Sequence, residues 1–62
     1  MTQKEFAQQI IEYQLDINFY GSEVNKSSIV RDYTLLNMYH NKYEDTKKQL
    51  EELEEMYPEH LI

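Results

Sequence analysis

His40 and Glu44 stand four residues apart with Asn37 one turn earlier, so on a helix the three share a face. An imidazole and a carboxylate at that spacing could both touch one metal ion. A zinc site needs at least three protein ligands, and no second ligating cluster adjoins this one. His60 lies beyond Pro58 with no positional relation to His40. No metal site is expected. Carboxylates are abundant, but acid–base catalysis needs two whose environments drive their pKa values apart, commonly inside a pocket. The sequence has no Ser/His/Asp arrangement, no glycine-rich phosphate loop and no cysteine nucleophile. The expectation is no catalytic residue, no cofactor and no enzymatic activity.

The carboxylates have other uses. Twelve acidic residues against six basic ones give a net charge of −6. Glu44, Asp45, Glu51, Glu52, Glu54, Glu55 and Glu59 crowd one stretch that holds only Lys47 and Lys48 in return. Near a helix C-terminus each exposed carboxylate opposes the macrodipole by about 0.3–1 kcal/mol, and Glu51 and Glu55 repel one another at i, i+4. Only Glu44 with Lys48 has the favourable order for a helical ion pair, worth roughly 0.3–0.5 kcal/mol. The cluster does not stabilise its own helix. It serves either to keep a face solvated or as a strip, Glu44, Asp45, Glu51, Glu52, Glu54 and Glu55, that docks on a basic protein surface. Negative charge repels phosphates and anionic membranes, so neither direct nucleic-acid binding nor membrane association is expected.

These groups must be positioned by helices, because one glycine and one proline are too few for a turn-rich β fold. Thr2-Gln3-Lys4-Glu5 has the pattern of a capping box. Phe6, Ile10, Tyr13, Ile17 and Tyr20 recur at alternating steps of four and three, with Ala7, Ile11 and Leu15 widening the stripe. Gly21 suits a left-handed C-terminal cap, which ends a first helix of 3–20. The polar run 21–28 reads as a loop, with Val24 plugging its end and Ser27 or Ser28 as the next N-cap. Ile29, Leu36, Tyr43, Leu50 and Tyr57 then repeat every seventh residue, with Tyr39 and Leu53 between them. Asp32 and Thr46 interrupt that seam, and Tyr33 and Leu35 take over part of the early packing. Pro58 stops a second helix of 29–57 and leaves a tail of 58–62.

The predicted fold is all-α, a single two-helix antiparallel hairpin with a long second helix. At 1.5 Å per residue the helices span roughly 27 Å and roughly 45 Å. The first therefore covers the second only to about Asp45. Tyr43, Leu50, Leu53, Met56 and Tyr57 become the candidate self-association interface, uncovered apolar surface being a mark of interfaces. A domain this small needs support beyond its own core, and without cysteine that support is oligomerisation, as a dimer, bundle or coiled coil. The six tyrosines can pack a ring while the hydroxyl reaches water.

Leu36-Asn37-Met38-Tyr39-His40-Asn41-Lys42-Tyr43 resembles the second-helix motif of the small sporulation aspartyl-phosphate phosphatases, helical hairpins of similar length. That motif carries an aspartate where this chain has Asn37 and a serine where it has Tyr33. With both replaced, no activity is carried over. The functional expectation is a small non-catalytic protein that binds another macromolecule as an inhibitor or adaptor. Its rivals are a nucleic-acid mimic that blocks a DNA- or RNA-binding enzyme, and a purely structural coiled-coil element. No leader and no apolar run near about 18 residues is present, so a cytoplasmic protein is expected. Usage rich in Asn, Lys, Ile, Tyr and Glu fits an AT-rich bacterial or phage genome.

Overall fold

The computed structural model describes residues 1–61, which form two α-helices, α1 (Gln3–Ile29) and α2 (Tyr33–Met56), and a 3-10 turn at Pro58–His60. The chain is all-α among the described residues. Ile62, the last residue of the expected tail, lies outside them.

The N-terminus of α1 forms as its sequence dictates. The Glu5 amide donates to Thr2 Oγ1 and the Thr2 amide donates to Glu5 Oε1, each at 3.2 Å, so two of the orphan donors of the first turn are satisfied. The Thr2 side chain, and after it the Thr2 backbone, holds the exposed Glu5 carboxyl below the usual carboxylate range.

The helices differ from the expected 3–20 and 29–57. α1 continues through the expected loop at 21–28 to Ile29, and only Val30, Arg31 and Asp32 connect it to α2. The second helix is accordingly the shorter one, 24 residues against 27. The chain turns on a Schellman arrangement in which Arg31 N–H donates to Ser28 O at 3.2 Å and Asp32 N–H to Ser27 O at 2.9 Å. Arg31 takes the left-handed position, φ 57, that glycine commonly fills. Asp32 then caps α2 by accepting from the Leu35 amide at 3.2 Å, a role expected of Ser27 or Ser28. Ser27 is instead buried near the end of α1.

Gly21 is the residue on which the expected boundary rested. Its φ is negative, and it sits mid-helix under the Tyr43 ring, where an added Cβ would lie 3.6 Å from Tyr43 Cε2. Glycine there terminates nothing. With it, the stripe Phe6, Ile10, Tyr13, Ile17 and Tyr20 runs on in unbroken 4–3 steps through Val24 and Ser27. The facing stripe is Leu36, Tyr39, Tyr43, Thr46, Leu50, Leu53 and Tyr57, all buried or half-buried. Thr46 does not interrupt this seam; it is one of its most buried members.

The start of α1 lies beside the end of α2. The Phe6 ring meets Tyr57 edge-on at 6.2 Å and His60 at 5.2 Å, and His60 Nε2 is 3.2 Å from Met1 O. Nearer the connection, Phe19 and Tyr20 each meet Tyr39 at 6.3 Å. The assembly is a rod of 43 × 15 × 15 Å. Phe6 is its single buried apolar side chain among the described residues. Ile11 and Leu15, expected to widen the core, are exposed, as are Ile29, Tyr33 and Leu35. The folded chain exposes 4832 Å², against about 4,300 Å² for a compact monomer of this mass.

Two substitutions check this geometry. Gly21→Ala should stabilise the fold by about 0.5–1 kcal/mol, because a helix-interior glycine costs roughly that much relative to alanine and the new methyl meets Tyr43 at ordinary contact distance. A glycine held at positive φ would instead give a loss on urea titration. Arg31→Gly should also stabilise, by about 1 kcal/mol, since the left-handed conformation costs a side-chain-bearing residue about 1–2 kcal/mol. The midpoint of thermal unfolding should rise by roughly 4–8 °C.

Candidate interaction surface

The five residues expected to form a self-association arm are mostly accounted for inside the chain. Tyr43, Leu50, Leu53 and Tyr57 lie half-buried in the seam, and only Met56 is left widely exposed. Because α1 is a full 27 residues long, it covers α2 to the Tyr57 ring rather than to Asp45. The ground for placing an interface there, an uncovered arm, is absent.

The acidic strip is on the surface. Glu44, Asp45, Glu51, Glu52 and Glu55 are exposed and Glu54 is half-buried. Among the described residues the acidic side chains within 4.0 Å of a basic one are Glu23, 3.4 Å from Lys26 Nζ, and Glu44 and Glu59, 3.8 and 4.0 Å from the imidazoles of His40 and His60. Glu51, Glu52, Glu54 and Glu55 thus have no cationic partner. Glu44 faces back to His40 rather than forward to Lys48. The last turn of α2 carries no basic residue, so its free carbonyls face these glutamates uncompensated. Glu51, Glu54, Glu55, Pro58 and Leu61 line an open depression at this end.

His40 and Glu44 do approach one another, but both are more than half exposed. Among the described residues no group of three His, Cys, Asp or Glu side chains is placed to share a metal ion. No helix among them is long and apolar enough to cross a membrane. A second open depression lies between the helices, lined by Gly21, Val24, His40 and Tyr43.

The surface missed from sequence is apolar, in two parts. At the connection, Ile29, Val30 and Tyr33 are 64–73% exposed and flank the strained Arg31. On α1, Ile11, Leu15 and Phe19 are 54–62% exposed and stand four residues apart in a row. Leu15 is roughly 200° around the helix from both Tyr13 and Ile17, so it lies opposite the seam, whereas the Phe19 ring leans toward α2, 6.3 Å from Tyr39. Phe19 is braced from below, its ring 5.6 Å from Tyr20, and Lys42 Nζ sits 6.0 Å from both the Tyr20 and Tyr39 rings. The signal was in the sequence: the 4–3 stripe already accounts for the core, and a second row at strict steps of four has no place in the same seam.

No family model, no curated protein and no solved structure matches this chain.

The glutamates make a direct prediction. Replacing Glu51, Glu52, Glu54 and Glu55 together by Gln should stabilise the fold by about 1 kcal/mol at low salt, through relief of dipole opposition and of mutual repulsion. Urea titration in dilute and concentrated salt checks this, and the gain should shrink as salt rises.

Proposed function

We propose that this chain is a non-catalytic binding protein, an antiparallel helical hairpin that acts as an inhibitor or adaptor by presenting its turn to another protein. The observation that carries this reading is the concentration of exposed apolar side chains about the turn. Ile29 and Val30 are the two most exposed of the large apolar residues, and Tyr33, Leu35 and Met38 follow within three turns of helix. A solvated connection gains nothing from such residues. A tip that enters an apolar cleft does, and isoleucine, valine and tyrosine held between two helix ends lose little further freedom on binding.

Arg31 gives the tip its polarity. An arginine kept at φ 57, where glycine would be less strained, is accounted for by a use for its guanidinium, and a carboxylate at the rim of the cleft is the natural partner for its planar fork. The acidic end of the rod, 51–59, lies away from the turn and serves a second, salt-sensitive contact with a basic region of the same partner or only keeps the protein solvated. The nucleic-acid mimic and the purely structural coiled coil leave the apolar turn unused, which ranks them lower.

Capture of partners on immobilised protein from cells that make it tests the proposal if three baits are run in parallel: the natural chain, Val30→Asp with Tyr33→Asp, and the fourfold Glu→Gln variant. A functional partner should be retained by the natural and Glu→Gln chains, persist at about 1 M salt, where charge interactions are screened beyond roughly 3 Å, and be lost from the turn variant. Retention that ignores the turn variant and fails with Glu→Gln would transfer the function to the acidic strip.

A further inference from the structure

We infer that the turn of one copy docks in the depression at the acidic end of another, so that this chain associates head to tail. The inference rests on the reading of the turn as a binding element and adds one binder for that same turn, a second copy of the chain.

The depression lies where α2 gives way to the 3-10 turn. Pro58 and Leu61 supply its apolar surface, Glu51, Glu54 and Glu55 its charge, and its volume is about 370 Å³. Pockets of roughly 300–1,000 Å³ take up drug-sized molecules, so the space admits the tip of a loop. Its own chain leaves it open, with Leu61 55% exposed. Among the described residues no basic side chain comes within 4.0 Å of the three glutamates, those of the neighbouring turns, Lys4, Lys47 and Lys48, included.

The turn is the complement of this hollow. Ile29 and Val30 are 73% and 70% exposed, and Arg31, the chain's single arginine, follows them. The other charges of the tip are engaged: Lys26 pairs with Glu23 at 3.4 Å, and the Asp32 carboxylate accepts from the Leu35 amide. The Arg31 guanidinium lies within 4.0 Å of no acid among the described residues. An apolar knob carrying one planar cation matches an apolar hollow edged by carboxylates. The other depression, lined by Gly21, Val24, His40 and Tyr43, has no carboxylate to offer.

The shape of the rod makes this a contact between copies. Residues 51–61 lie beside the start of α1, as the Phe6–Tyr57 contact fixes, and the turn lies at the opposite end of a rod 43 Å long. A chain cannot close on itself. Because the two surfaces differ, the contact is heterologous: it lays no surface on its own copy, and nothing in it ends the series. Each docked copy has its turn occupied, so another protein that takes the turn competes with the series.

Sedimentation equilibrium reads the association. From roughly 10 μM to about 1 mM, the range of contacts smaller than a standard interface, the average mass of the natural chain should climb from 7.6 kDa past twice that value without a plateau. Val30→Asp spoils the knob and Leu61→Asp the hollow. Both residues are exposed, so helical circular dichroism should not change and each variant alone should weigh one chain. Mixed in equal amounts they should form a heterodimer and stop there, because one tip and one depression remain whole. The fourfold Glu→Gln variant should associate about tenfold more weakly, roughly the loss of one charge-assisted hydrogen bond. A one-chain mass for the natural protein at the top of the range overturns the inference. So does a plateau at the dimer, which marks a closed two-fold contact, and so do mixed variants that stay apart. Partner capture separates this inference from the reading it rests on. A natural chain that stays single, while Val30→Asp with Tyr33→Asp loses the captured partner, sinks head-to-tail docking alone; a turn variant that keeps both its copies and its partner sinks both.

Discussion

A helix with one neighbour can bury one stripe. In this chain each of two long helices has a single neighbour, so the seam between Phe6–Ser27 and Leu36–Tyr57 takes all the burial the fold can offer. Phe6 alone among the apolar side chains of the described residues is enclosed, where the Tyr57 and His60 rings close over it from the other end of the chain. Everything beyond the seam follows from its narrowness. Tyrosines populate it because a ring can pack on one edge and hydrate at the other. Ser27 and Thr46 share its most buried points with Phe6, and no buried side-chain nitrogen or oxygen among the described residues lacks a hydrogen-bond partner.

The register of that seam is set by two small devices. One is the connection, where the Schellman hydrogen bonds of Arg31 and Asp32 end α1 and the Asp32 side chain begins α2 within three residues. The other is the Tyr43 ring, which packs over the α1 backbone at Gly21, 3.6 Å from where a Cβ would stand. Moving the connection by a few residues would shift every aromatic pair along the rod. Phe6 would lose Tyr57, and the end of α2 would be uncovered. A strained arginine is tolerated at the turn because helices on both sides over-determine its position.

The helical class, the capping box and most of the seam are legible in the sequence because each rests on local chemistry or on simple periodicity. The position of the turn was not. Glycine has two distinct uses, a left-handed cap or a small residue under a bulky one, and the atoms that decide between them at Gly21 belong to Tyr43, far along the chain. Reading Gly21 as a cap made the polar run 21–28 a loop, hid the seam positions Val24 and Ser27, and cast Asp32 as an interruption when it is a cap. The same misplacement produced the uncovered arm at Leu50, Leu53 and Tyr57. The acidic strip was legible because surface charge needs no partner to be recognised.

Charge also limits what the exposed apolar residues can do. A chain of net charge −6 tends to repel its copies, and the outward glutamates of α2 place much of that repulsion on one side and at one end. Repulsion between copies is therefore least at the turn and at the outer face of α1. The glutamates of the last turns weaken their own helix and form no ion pair among the described residues, yet they restrict where a sticky surface can be used. On a rod that buries so little, directing contact to one face is itself a structural task. The distribution of acid along α2, costly to that helix, makes physical sense as the counterpart of the apolar row on α1.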